Sequence, residues 1–214
     1  NDIEITFGGQ EVSSDNNKLR LPEINQIQNK INFDFTRAQA DSESLKLRYS
    51  NKKIFKNFEP NGSKAKKLYA IGEKIRYESL GTQEYKGVKD NLMNYYSRLK
   101  PPQNKLENIY FAFENYLRKE FFKSGEDFKI EEIPAKYKKN FDKAFKAKID
   151  KIKENVDKQE FFNAAISEII KKLEIEETSD YEDVENKKEE DDNKEVSNKD
   201  ESDQKKESKF DENQ

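Results

Sequence analysis

The chain has 214 residues and a mass of 25.3 kDa, with 40% charged against 32% hydrophobic side chains, a balance too polar for the whole of it to pack into one core. The charge is unevenly spread: residues 174–214 hold 18 Asp and Glu, 7 Lys and five apolar side chains, net −11, whereas residues 1–173 hold 34 basic and 26 acidic residues, net +8. With no Cys and no His, the chain by itself excludes a thiolate or imidazole zinc site, a Cys or Ser/His/Asp nucleophile triad and a His-ligated haem.

The longest apolar run is Ile109 to Phe113, far short of the roughly 20 residues that a membrane span needs. No basic segment followed by an apolar run opens the chain, so no secretion signal is visible and a cytoplasmic protein is expected.

Ile3, Ile5 and Phe7 alternate with Glu4 and Thr6 up to Gly8-Gly9, and Leu19 and Leu21 flank Arg20 before Pro22. Two alternations of period two predict a small N-terminal β-hairpin whose apolar face lies on the next segment of the chain. That segment has helical spacing. Residues 36 to about 51 form a helix with Thr36 as a cap, and Ile54, Phe55 and Phe58 continue it to the stop at Pro60-Asn61-Gly62. Ser63 caps the next helix, with Leu68, Ile71 and Ile75 on one face and Gly81 at its end. Tyr85 to Leu99 carry another to Pro101-Pro102, and Leu106, Ile109, Tyr110, Phe113, Leu117 and Phe121 give the cleanest amphipathic stripe. Two more run from Tyr137 to Val156 and from Phe161 to Leu173. The expected fold is mainly α: a domain of about six helices with the hairpin over residues 1–173, then a disordered acidic tail over 174–214. The aromatic stripes are read as core, because buried rings carry the largest apolar area per residue.

No phosphate loop is visible, since Gly62-Ser63-Lys64 fails the required order and spacing. Lysine clusters at 64, 66, 67 and 136, 138, 139 suit a solvated face better than nucleic acid, which is not expected as a partner. The few arginines are more telling, because a planar guanidinium is kept among 35 lysines where a bidentate, buried carboxylate contact needs it. Asp41 and Arg48 share one helix face seven residues apart, and Glu73 and Arg76 share another at i, i+3. Together with Arg37 and Glu78 they are expected to form one polar seam between the first two long helices, or a partner surface.

These same residues carry a family resemblance. Ile3 to Phe7, Leu21-Pro22 and Arg37 to Tyr49 resemble the N-terminal region of the CobT family, a subunit of the aerobic cobaltochelatase. Glu73-Lys-Ile-Arg76-Tyr-Glu78-Ser-Leu-Gly81 is similar to that family's Glu-x-x-Arg-x-Glu-x-x-Gly helix, with Gly87-Val88 and Asn91-Leu92 matching its next signature and 157–173 the helix before its acidic linker. Ser50-Asn51 stands where the family usually has His-Asp, so no proton relay at that position is general.

The resemblance implies a non-catalytic subunit of the ATP-dependent enzyme that inserts Co2+ into hydrogenobyrinic acid a,c-diamide in cobalamin biosynthesis, a ligase forming nitrogen–metal bonds. It implies a CobS-like AAA+ ATPase and a CobN-like large subunit as partners, with ATP, Mg2+ and Co2+ used by the whole complex. This chain is then expected to bind no cofactor or metal and to be inactive alone. Family members carry a von Willebrand A-type domain after the linker, so a chain ending at Gln214 is expected to be a fragment without it. A second class stays open from the residues themselves: a binding module whose basic body takes RNA or an acidic partner, with the tail for self-inhibition.

Overall fold

The computed structural model describes residues 3–9, 12–15, 18–23, 30–122 and 132–173, all in the first of two units into which the chain divides, Asn1–Ile175. The expected disordered tail lies outside the described residues.

Three short strands come first, β1 (Glu4–Gly9), β2 (Ser13–Asp15) and β3 (Lys18–Pro22). They make one sheet of order β1-β3-β2, with β1 parallel to β3 and β2 antiparallel to it. The expected hairpin of the two apolar alternations is therefore corrected: Ile5 stands opposite Leu19 and Phe7 opposite Leu21, but in parallel register. The polar Ser-Ser-Asp of β2 makes the hairpin with β3 instead. β2 and β3 lie on the first helix, burying Leu19 and Pro22. The apolar row on β1 stays open, with Ile5 56% and Phe7 59% exposed.

Eight helices follow among the described residues: α1 (Lys30–Tyr49), α2 (Lys52–Phe58), α3 (Ser63–Glu84), α4 (Lys86–Tyr96), α5 (Lys105–Phe121), α6 (Ala135–Phe145), α7 (Ile149–Glu154) and α8 (Gln159–Lys172). The mainly helical fold with a small N-terminal sheet is as the sequence suggests, and the higher count has local causes. Thr36 lies inside α1 rather than at its cap. The first helical stretch breaks at Ser50-Asn51, where the Asn51 side chain accepts hydrogen bonds from the Lys53 and Ile54 amides at 2.9 and 3.3 Å and so starts α2 afresh. The stretch from 137 to 156 breaks after Phe145, where the Lys148 amide turns back to the Phe145 carbonyl at 2.8 Å.

α3 is the central element, in contact with α1, α4, α5 and α8. Gly62 sits just before it with φ of 91°, a left-handed conformation that glycine adopts without strain, so Ser63 is its first residue rather than its cap. Nor does α3 end at Gly81; it runs on to Glu84. The α5 stripe is core as expected: Phe113 and Tyr116 pack against Phe141 and Phe145 of α6 with ring centroids 5.3 to 6.1 Å apart, and Phe121 meets Phe162 of α8 at 5.5 Å.

Candidate functional site

The scarcity of arginine points to α3. Three and four residues apart on one helix are neighbouring positions, and Arg76 grips Glu73 bidentately, Nε to Oε2 and Nη2 to Oε1, both at 2.8 Å. The pair is closed from both sides. Arg76 Nη2 also donates to the Tyr49 carbonyl at 2.5 Å, where α1 ends, while Ser50 Oγ and Gln159 Nε2 donate to Glu73 Oε1 at 2.6 and 2.9 Å. Gln159 in turn accepts from the Asn51 amide at 2.8 Å. Arg76 is 1% exposed, so α1, α2, α3 and α8 meet on one ion pair. Ser50-Asn51 has a structural role in this setting, one residue bonding the carboxylate and the other capping α2.

Glu78, fully buried, belongs to a second group. Its carboxylate accepts from Ser42 Oγ of α1 at 2.6 Å and from the Tyr96 hydroxyl of α4 at 2.6 and 2.7 Å. Burial and then the Glu78 charge push the Tyr96 hydroxyl far above its ordinary pKa, so it stays a donor. The Arg118 guanidinium of α5 lies over the Tyr96 ring, 3.4 Å from its centroid. Arg118 pairs with Glu114 and donates to Asn115 Oδ1 at 2.9 Å, and Glu114 also takes Lys74 Nζ at 3.2 Å. Burial raises the Glu114 carboxyl, but Lys74 and Arg118 outweigh it and hold it below the usual range.

The other three expected residues lie on the open flank of α1. Asp41 does not pair with Arg48; it accepts from Asn91 Nδ2 of α4 at 2.6 Å, and its carboxyl is raised by burial against the opposing effects of that bond and of Arg37. Arg48, exposed, reaches Glu84 at 3.1 Å and sits 5.4 and 5.7 Å from the Tyr49 and Tyr85 ring centroids. Arg37 is exposed. Asp41 and Arg48 line an open cleft of about 540 Å³ together with Ile3, Tyr85 and Val88. The single expected seam is thus three arrangements: a knot at Glu73 and Arg76, a knot at Glu78, and an accessible flank with Arg37, Asp41 and Arg48.

Sequence reasoning passed over Arg118 with Glu114, although the i, i+4 spacing and the scarcity of arginine apply to it as they do to Arg76. Gln159 and Tyr96 carry no such signal. No group of three or more His, Cys, Asp or Glu among the described residues can hold a metal ion, and no described helix is long and apolar enough to cross a membrane. Chemically, these side chains order helices and present a charged flank.

No solved structure matches the chain. The family model described as cobalamin biosynthesis protein CobT matches residues 1–108, from the sheet to the first turn of α5, with both ends of the Glu73 to Gly81 motif inside it. On that match over half of its length, the chain belongs to the CobT family of cobalamin biosynthesis proteins.

Proposed function

We propose that this chain is a non-catalytic subunit of the ATP-dependent aerobic cobaltochelatase, which inserts Co2+ into hydrogenobyrinic acid a,c-diamide as a ligase forming nitrogen–metal bonds. Residues 1–173 serve as a body that binds partner subunits, and 174–214 as an acidic linker. In this reading ATP with Mg2+ is consumed by a CobS-like AAA+ subunit, and Co2+ reaches the tetrapyrrole on a CobN-like subunit, in the cytoplasm. The chain itself binds neither cofactor nor metal.

The observation that carries the reading is the division of the family-motif residues. Glu73, Arg76 and Glu78 are buried and hold α3 to its neighbours, as befits a scaffold. Arg37 and Arg48 are exposed and Asp41 half-buried on one flank of α1, beside the cleft that Ile3 helps to line. That flank is where a protein partner has both charge and apolar surface to hold. The test is titration: this chain, added to an active cobaltochelatase, is expected to change the rate of ATP-dependent cobalt insertion saturably, while the chain alone turns over neither ATP nor tetrapyrrole. Cobalt insertion indifferent to the chain, together with salt-dependent binding of RNA by it, would replace this reading with that of a nucleic-acid-binding module.

A further inference from the structure

A second concavity, which shares Leu47 with the Asp41 and Arg48 cleft, opens between α1, α2 and α3, with Ser14 of β2 also lining it, and has a volume of about 490 Å³. Its floor is apolar, made by Leu47, Phe55 and Ile71, with Ala70 exposed beside them on α3. Lys46, Lys52, Lys67 and Lys74 surround it, contributed by all three helices. Among the lining residues the one carboxylate is Glu73, and Arg76 already holds both of its oxygens. Lys46 leans to Glu43 at 3.0 Å and Lys74 to Glu114 at 3.2 Å. Lys67 lies over the Tyr110 ring, 4.5 Å from its centroid. The Lys46 pair is partly exposed, hence weak and exchangeable, so an incoming anion can draw Lys46 and the exposed Lys67 to itself, while Lys74 stays with Glu114 and adds its charge from a fixed place.

We propose that this groove binds a small amphipathic anion: an apolar body resting on Leu47, Phe55 and Ile71, with carboxylate, sulfonate or phosphate groups reaching the lysines. Each part of the site asks for a part of that ligand. The apolar floor supplies area without direction, and cations arriving from three helices suit a ligand with more than one anionic group. The volume lies within the roughly 300 to 1,000 Å³ of small-molecule sites. Its twelve lining residues are few for a docked protein, which engages roughly 20 to 30 residues of each partner. Binding of such an anion goes beyond the chelatase reading and stands or falls without it.

The probe is anilinonaphthalene sulfonate, a fused aromatic body bearing one sulfonate, titrated by fluorescence and by calorimetry into the whole chain under conditions where circular dichroism shows the native helix content. Saturable binding at one site is expected, weakening as salt is added. Ala70→Trp, an exposed helical position that fills the groove without removing any core side chain, should abolish it. Lys67→Glu should weaken it by roughly tenfold. Lys143→Glu, exposed on α6 and changing net charge by the same amount, should leave it unchanged. Thermal melts of all three variants separate a lost site from a lost fold. Absence of saturable binding, binding that survives Ala70→Trp in a folded protein, or equal weakening by Lys143→Glu overturns the proposal. Polyglutamate bound in an Ala70-dependent way where the sulfonate is not would also overturn it, in favour of an acidic protein segment.

Discussion

Leu45 and Gly81 meet where α1 crosses α3, so closely that a Cβ on Gly81 would run into both Leu45 methyl groups and stand 2.9 Å from its Cγ. The last position of the Glu-x-x-Arg-x-Glu-x-x-Gly helix therefore does not end a helix; it lets two helices touch. Gly81→Ala is expected to destabilise the chain by about 1 to 3 kcal/mol through overpacking, although alanine favours helix by about 1 kcal/mol. Gly87, in the first turn of α4, has nothing within 4 Å of an added Cβ, so Gly87→Ala is expected to stabilise by about 0.4 to 1 kcal/mol. Urea denaturation of both variants checks the pair. A Gly81→Ala protein as stable as the parent would contradict the contact.

Arg76→Ala leaves Glu73 charged, buried and without its bidentate partner, and frees the Tyr49 carbonyl at the end of α1. The expected loss is about 3 to 5 kcal/mol, a large share of a typical domain's stability. Arg76→Lys should recover less than half of that, because a single ammonium cannot span both Glu73 oxygens and the carbonyl together. Chemical denaturation reads both; full rescue by lysine would show that charge alone matters there.

Glu114 gives a pH signature. Its folded pKa lies below the ordinary 4.5, so its contribution is present above 4.5 and is lost as pH falls from there through the depressed folded value. Glu114→Gln should cost about 2 kcal/mol at neutral pH, since Lys74 and Arg118 lose their shared anion. The gap from the parent should narrow below pH 4.5 as the parent's own carboxylate is protonated. Stability profiles of the two proteins measured side by side test this, and a gap independent of pH would rule the ionic role out.

The β1 row is expected to matter for assembly and not for folding. Ile5 and Phe7 are more than half exposed, so changing both to Ser should shift unfolding free energy by no more than about 0.5 kcal/mol. On the proposed function, the same change should weaken capture of the AAA+ subunit. Denaturation beside a pull-down checks it, and an unfolded double variant would place these side chains in the core.

The helices were legible wherever one face repeats, as in Tyr110, Phe113, Leu117 and Phe121, because burial of that face is what forms them. The Glu73 and Arg76 pair was legible from spacing and from the rarity of arginine. Asp41 with Arg48 was not, since seven residues along a helix is about 10.5 Å of rise, too far for direct contact, and Asn91 and Glu84 on other helices stand closer. The parallel pairing of β1 with β3 was hidden for a related reason: β2, the strand that makes the hairpin, is Ser-Ser-Asp and has no apolar period to read. Gln159, more than a hundred residues from Ser50 and Asn51, meets them only through the packing of α8 on α2 and α3, which no local pattern encodes. The charged flank of α1 could be read as charged but not as accessible, because accessibility depends on which helices cover it.

Sedimentation velocity of this chain mixed with the CobS-like AAA+ subunit, in ATP and Mg2+, tests the central claim most directly. One heavier species containing both chains is expected, diminished when Arg48→Glu replaces the parent and unaffected by Lys143→Glu. Independent sedimentation of the two proteins at concentrations well above micromolar would contradict it.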